Sequence, residues 1–322
     1  MEMKTLATKR APLVTLALGL LCASSLGCHA TKEAQDSQAE HAEDALLTYD
    51  VDAVGFPPHT FVFTLPVVPS IEDYRFELTP IQRNTSPCSV CMLNGRLVSS
   101  ENQGGLSYYV YDGSSETITS QDYTPEGSAR QAKYCVGEPL LLPFRGNRQV
   151  AVTLQAGIQL GYRYWKATGA IEVAKPSATP HSHSPKGFVP YVITAPEGLG
   201  AESYYIELIP SKLLEVDCNI HVLNGKFELQ SDGESDLTYI FRSDGTTLST
   251  RMGCPEESLE EKLIRHPGIV VLRQAGASVE VCLPEGFIMR YRLYAPEGDF
   301  VPLSEETKGT ATRSIPQRTQ AN

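Results

Sequence analysis

The strongest constraint on the fold is an internal duplication. Phe61-Val-Phe-Thr-Leu-Pro66 recurs as Tyr191-Val-Ile-Thr-Ala-Pro196, and Tyr74-Arg-Phe-Glu-Leu-Thr-Pro80 as Tyr204-Tyr-Ile-Glu-Leu-Ile-Pro210. Cys88-Ser-Val-Cys-Met-Leu-Asn-Gly95 recurs as Cys218-Asn-Ile-His-Val-Leu-Asn-Gly225, and Tyr109-Val-Tyr111 as Tyr239-Ile-Phe241. These blocks lie 130 residues apart. Further on, Val150-Ala-Val-Thr-Leu-Gln-Ala-Gly157 matches Val279-Glu-Val-Cys-Leu-Pro-Glu-Gly286 and Tyr162-Arg163 matches Tyr291-Arg292, at a spacing of 129. Blocks kept in one order, with one small change of spacing, mean that a single folding unit occurs twice.

Each unit reads as strands. Val150, Val152 and Leu154 alternate with Ala151 and Thr153, and Val279, Val281 and Leu283 with Glu280 and Cys282. Period-two alternation in β-branched runs marks half-buried strands. Asn94-Gly95 and Asn224-Gly225 read as hairpin turns, because Asn-Gly tolerates positive φ at both central positions. Asp112-Gly113 and Asp244-Gly245 read as a second turn, and Gly157 and Gly286 as tight turns before a further strand. Only Glu256 to Ile264 has helix-like spacing. The expectation is an all-β protein of two tandem, duplicated antiparallel β-sandwich domains.

The ends and the joint differ in character from the units. Lys4, Lys9 and Arg10 precede an apolar run, Ala11 to Leu21, and then small residues ending in Leu26-Gly27-Cys28. Basic end, short apolar core and small-residue cleavage site form a secretory signal, and the run is too short to span a bilayer. Leu26-Gly27-Cys28 resembles the lipobox of bacterial lipoproteins, which implies acylation of Cys28 as the new N-terminus. With His29 rather than Asp next, the resemblance implies outer-membrane delivery. The expected division is a signal peptide over 1–27, a lipidated tether over 28–47 and copy one over 48–174. A Pro-, Ser- and His-rich linker covers 175–187, copy two 188–303 and a polar tail 304–322. The net charge of −11 argues against nucleic acid and against electrostatic adhesion to anionic lipid. Membrane contact is expected through the lipid alone.

Within each copy the order of signals resembles the bacterial pre-peptidase C-terminal domain. That family has an aromatic-x-Phe-x-Leu strand, here Tyr204 to Leu208 and Tyr74 to Leu78. An apolar strand then runs into an Asp-Gly turn, Leu237 to Gly245 and Leu106 to Gly113. A turn leads into an aromatic strand, Leu283 to Gly286 before Tyr291 and Tyr294, and Leu154 to Gly157 before Tyr162 and Trp165. The resemblance implies a non-catalytic sandwich concerned with secretion or substrate binding, and in some members calcium.

Outside the cytoplasm, paired cysteines oxidise. Equivalence of Cys88 and Cys218 under the duplication predicts Cys88–Cys135 and Cys218–Cys254, each cysteine joined to one in a later loop. Cys91 and Cys282 align with His221 and Thr153, so they are expected to be free or to bridge the copies. Cys88-x-x-Cys91 as the start of a zinc site lacks a second spaced pair. His181 and His183 lie in the linker without accompanying ligands, and Asp232 to Asp236 lacks the Gly and the final acid of a calcium loop. Tyr108, Tyr109, Tyr111, Tyr162, Tyr164 and Trp165 suit a core or cross-strand pairs before a sugar- or peptide-stacking surface.

No Gly-x-Ser-x-Gly, His-Glu-x-x-His or phosphate-binding glycine loop is present. The expectation is a non-enzymatic envelope lipoprotein, without cofactor, catalytic residue or metal, that binds a glycan or an envelope protein. The alternatives are an accessory subunit or cryptic enzyme of an export or adhesion complex, and a metal-handling protein.

Overall fold

The alternating runs form the facing layers of two sandwiches in the computed structural model of the chain. The structure describes residues 46–51, 55–65, 70–85, 90–100, 106–119, 132–143, 149–178, 184–197, 201–231, 237–254, 259–303 and 311–314. Cys28, the signal, Cys88, His181, His183 and the acidic run Asp232 to Asp236 lie outside these residues.

Copy one contains β1 (Leu46–Val51), β2 (Thr60–Thr64), β3 (Tyr74–Arg83), β4 (Cys91–Ser99), β5 (Ser107–Thr119), β6 (Tyr134–Glu138), β7 (Leu140–Pro143), β8 (Gln149–Thr153) and β9 (Gln159–Ala167). A short strand, β10 (Glu172–Val173), follows it. Copy two contains β11 (Phe188–Thr194), β12 (Ser203–Val216), β13 (His221–Leu223), β14 (Lys226–Ser231), β15 (Leu237–Arg242), β16 (Thr247–Ser249), β17 (Glu260–Arg265), β18 (Ile269–Gln274), β19 (Ser278–Pro284) and β20 (Ile288–Pro302). Part of the expected polar tail is a strand as well, β21 (Ala311–Ser314), paired with β1. Where helical spacing was read, β17 pairs with β12 instead, because sheet pairing overrides a short local pattern.

The duplication holds at the level of pairing. β3 pairs with β6, β7 and β9 in copy one, as β12 does with β17, β18 and β20 in copy two. β8 lies antiparallel to β2 and parallel to β5, as β19 does to β11 and β15. Equivalent side chains fill the cores. Phe61, Phe63, Phe76, Leu78, Val150 and Val152 are buried in the first, and Tyr191, Ile193, Ile206, Leu208, Val279 and Val281 in the second. Of the six aromatics expected in the core or in cross-strand pairs, Tyr111, Tyr162, Tyr164 and Trp165 are buried.

The Asn-Gly pairs are not hairpin turns. Gly95 lies inside β4, beside a register shift, and Gly225 lies between β13 and β14; neither has positive φ. A Cβ at Gly95 would strike the Tyr111 ring, and one at Gly225 the equivalent Phe241 ring. Glycine is needed there because an aromatic ring lies against the backbone. Asp112-Gly113 likewise sits within β5, opposite Arg96 and Gly95. Gly157, Gly245 and Gly286 do adopt positive φ, in turns.

The copies are not hinged at the linker. β20 pairs antiparallel with β9, which makes one 15-stranded sheet continuous across them. The pairing is centred on Ala295↔Lys166, two positions equivalent under the duplication. About that point each copy lends its end to the other. Val301 pairs with Tyr162, and Glu172 with Tyr291; Leu303 N–H donates to Leu160 O (2.7 Å), and Ala174 N–H to Met289 O (2.9 Å). The two copies are therefore related by a local two-fold axis.

Buried polar groups obey the same axis. Glu77 accepts from Trp165 Nε1 (2.6 Å) in its own copy and from the Tyr205 hydroxyl (3.2 Å) in the other. Its equivalent, Glu207, accepts from the Tyr294 hydroxyl (2.9 Å) and pairs with Arg75 across the axis (2.7 Å). Trp165, Tyr205 and Tyr294 form a third apolar cluster at this junction. Burial, followed by the nearby Glu77 carboxylate, raises the Tyr205 hydroxyl pKa well above its ordinary value, so it acts as a donor.

Candidate functional site

The cysteines come together differently from the alignment in copy one. Cys91 is joined to Cys135, not Cys88, and both are buried in the core cluster. The parallel bridge Met92↔Val136 sets the neighbouring cysteines side by side, with Cα atoms 4.4 Å apart. Cys91 is thus neither free nor a link between copies. Cys282 is a free buried thiol, 3.4 Å from Ser184 Oγ, and burial raises its pKa. In copy two Cys218 and Cys254 are joined, with Cα atoms 5.7 Å apart. Among the described residues no three His, Cys, Asp or Glu side chains are placed to hold a metal.

The Cys218–Cys254 link closes an unusual stretch of surface. β12 ends at Val216, and Asp217 to Ile220 lead into β13, which pairs with β16. After β16 the chain runs from Thr250 to Cys254 without regular structure. Unpaired backbone of this kind wanders unless something holds it, and here Asn219 does so. Its Oδ1 accepts from Thr250 Oγ1 (3.0 Å) and Met252 N–H (2.7 Å), and its Nδ2 donates to Met252 O (3.3 Å). Thr250 and Ile220 close a small ladder, with Thr250 N–H on Ile220 O and Ile220 N–H on Thr250 Oγ1, both 3.1 Å.

Asn219 is itself fixed. Asp217 accepts from Asn219 N–H (2.9 Å) and Asn219 Nδ2 (2.8 Å), and its carboxylate lies 2.7 Å from His221 Nε2. The hydrogen bond from His221, followed by those from Asn219, lowers the Asp217 pKa to about 2. Lys262 Nζ donates to Asp217 O (3.1 Å), tying the cluster to β17.

The braced segment faces outward. Leu248 and Met252 are 67% and 57% exposed, and Ile220 beside them 66%. Exposed apolar side chains on a braced backbone are costly for an isolated surface and useful for a docking one. Arg251, between the two tethered residues, is exposed and makes no hydrogen bond or ion pair among the described residues. Composition and periodicity do not mark Asn219, Thr250, Arg251 or Met252. The available signal was the Cys218 and Cys254 pair that brackets them.

Comparison with known proteins accounts for both copies. The ecotin family model matches residues 58–167 and again 178–296. The chain belongs to the ecotin family. It is 28% identical over 133 residues to an ecotin of Pseudomonas putida (strain W619), covering 40% of this chain and 84% of that one. A putative ecotin-like protein of Methylobacillus flagellatus is 30% identical over 130 residues, covering 39% of this chain and 81% of the relative. An ecotin of Serratia proteamaculans is 27% identical over 131 residues, with 39% and 76% covered. Each alignment is about one copy long, so this chain carries two ecotin modules. The match overturns the resemblance to a lipobox lipoprotein with pre-peptidase C-terminal domains: the strand order that suggested it belongs to ecotin, and nothing in the family supports the lipobox. The chain is a binding module of ecotin type.

Proposed function

We propose that this protein is a non-enzymatic inhibitor of proteases in the bacterial cell envelope, which offers Thr250 to Gly253 to the enzyme as a substrate-like segment. Its ligand is a protein, not a glycan. The observation that carries this reading is the double bracing of an exposed segment by Asn219 and by the Cys218–Cys254 disulfide, within a family of protease inhibitors.

A protease binds its substrate extended, and a flexible peptide loses affinity to the entropy of adopting that shape. A segment held there beforehand avoids the loss. The brace serves a second end. Were the bond after Arg251 cut, Thr250 and Met252 would remain hydrogen-bonded to one Asn219 side chain, so rejoining would compete with release. Leu248, Met252 and Ile220 supply apolar contact area around the segment, consistent with the modest, well-packed interfaces of protease–inhibitor pairs.

The test is inhibition by the purified protein of a panel of endoproteases with different specificities. We expect stoichiometric, tight inhibition of at least one. Asn219→Ala should weaken it by about tenfold or more and speed cleavage within the segment, since three of the supporting hydrogen bonds are removed at about 1 kcal/mol each. Unchanged inhibition by Asn219→Ala would remove the segment from the reading.

A further inference from the structure

We infer that the junction between the copies works as an address. Each copy's face accepts the other copy and refuses a copy of its own kind, so the chain closes on itself as a monomer. Because β9 and β20 pair about a local two-fold axis, each junction residue has an equivalent in the other copy. A like-with-like pairing is therefore obtained by exchanging equivalents. Phe300 of copy two lies against Gly161 of copy one, so closely that a Cβ at 161 would strike its ring. The equivalent of Gly161 is Arg290, and that of Phe300 is Ile171. Copy one thus supplies the hole and copy two the ring.

Two copies of the second kind could not meet in this way. Each Phe300 would find Arg290 where it needs glycine, and an overfilled contact forces strands apart. Glu207 would also lose Arg75, its ion-pair partner across the axis at 2.7 Å, because the equivalent of Arg75 is Tyr205. Two copies of the first kind fail for an electrostatic reason. Lys166 lies opposite Ala295 at the centre of the pairing and 3.9 Å from Glu297. The copy-one equivalents of those two residues are Lys166 itself and Thr168. Like with like would set Lys166 opposite Lys166 and put Thr168 where Glu297 stands, and like charges directly opposed across strands repel. Arg163, whose guanidinium lies 5.6 Å from the Phe300 ring centre, would meet Ile171 in its place. Only the mixed pairing satisfies both sides. Its two halves belong to one chain, so the short connection favours closure within that chain.

The experiment installs in one copy, within the full chain, the residues that its like would bring. G161R gives copy one the side chain of copy two, and A295K/E297T gives copy two the residues of copy one. The parent should sediment as a monomer at every concentration. We expect G161R to lower the unfolding midpoint by about 5 °C or more. It should also make the chain associate, since the strand edges that cover each other come open. A295K/E297T should lower the midpoint by about 2 °C, a loss that added salt reduces. The decisive variant is G161R/F300I. Arg290 and Ile171 already coexist on the other side of the axis, so this pair should restore the monomer and most of the lost midpoint, which a general folding defect at 161 would not allow. The inference is overturned if the parent associates as its concentration rises, or if either G161R or A295K/E297T matches the parent. A G161R/F300I chain no better than G161R overturns it as well.

Discussion

Asp217 shows how one side chain can set the geometry of a surface it does not itself present. Its carboxylate orders Asn219, and Asn219 orders Thr250 and Met252. The pKa of this carboxyl is about 2 in the folded chain, against an ordinary 3.8. A lowered pKa means that the folded state favours the charged form. Its stabilising contribution is therefore complete above the ordinary value and is lost as pH falls through the folded one. We predict that the backbone amides of Asn219 and Met252, followed by NMR, titrate with a midpoint near 2, and that Asp217→Asn abolishes that step. A midpoint at the ordinary carboxyl value would show that the carboxylate is not engaged. The apolar face of β2 is legible residue by residue, since Phe61 and Phe63 alternate with outward neighbours. Asn219 is not, because a polar side chain in a turn looks the same whether it braces a segment or merely meets water.

At the scale of elements the copies have diverged in where each places its covalent bond. In copy one the Cys91–Cys135 disulfide joins β4 to β6 inside the core. In copy two the Cys218–Cys254 disulfide joins the end of β12 to the segment after β16, at the surface. Each closes a long loop, which by chain entropy is worth about 2–4 kcal/mol when unstrained. The consequences for function should differ. Replacing Cys218 and Cys254 together by serine is expected to weaken inhibition by about tenfold or more while the β-sheet signal in circular dichroism persists. Replacing Cys91 and Cys135 should lower the unfolding midpoint and leave inhibition through the second copy intact. The reverse pattern would place the inhibitory segment in copy one. Duplication reasoning gave Cys135 the wrong partner because homologous position was allowed to stand for proximity. The parallel bridge between β4 and β6 decided otherwise, and parallel pairing leaves no local trace in sequence.

For the whole molecule, the decisive contact is the antiparallel pairing of β9 with β20. Each copy alone would leave a long strand edge open, which invites association with other chains. Here the two edges cover each other, and each copy's last residues run on along its partner's strand. The Glu77 and Glu207 clusters make the joint selective, since each carboxylate takes donors from both copies. The two ecotin modules should therefore unfold as one. Trp165→Ala removes the centre of the junction cluster and the closest donor to Glu77, and is expected to cost about 3–5 kcal/mol. A single shifted calorimetric transition is the expected result, whereas two resolved transitions in the unmodified protein would mean that the copies are thermodynamically independent.

The sequence by itself determined that a β-rich unit occurs twice and which strand faces are apolar. Both are local properties: alternation has the period of the strand, and repeats are visible at any distance along the chain. Tertiary structure alone decided that the copies share a sheet about a two-fold axis, that Gly95 and Gly225 lie beneath aromatic rings, and that Thr250 to Gly253 is held at the surface by Asn219 and a disulfide. The shared sheet depends on edges that meet across more than a hundred intervening residues, and the other two on loops and strands that meet only once the copy has folded. Hydrophobic periodicity states which way a side chain points, but not what it will find there.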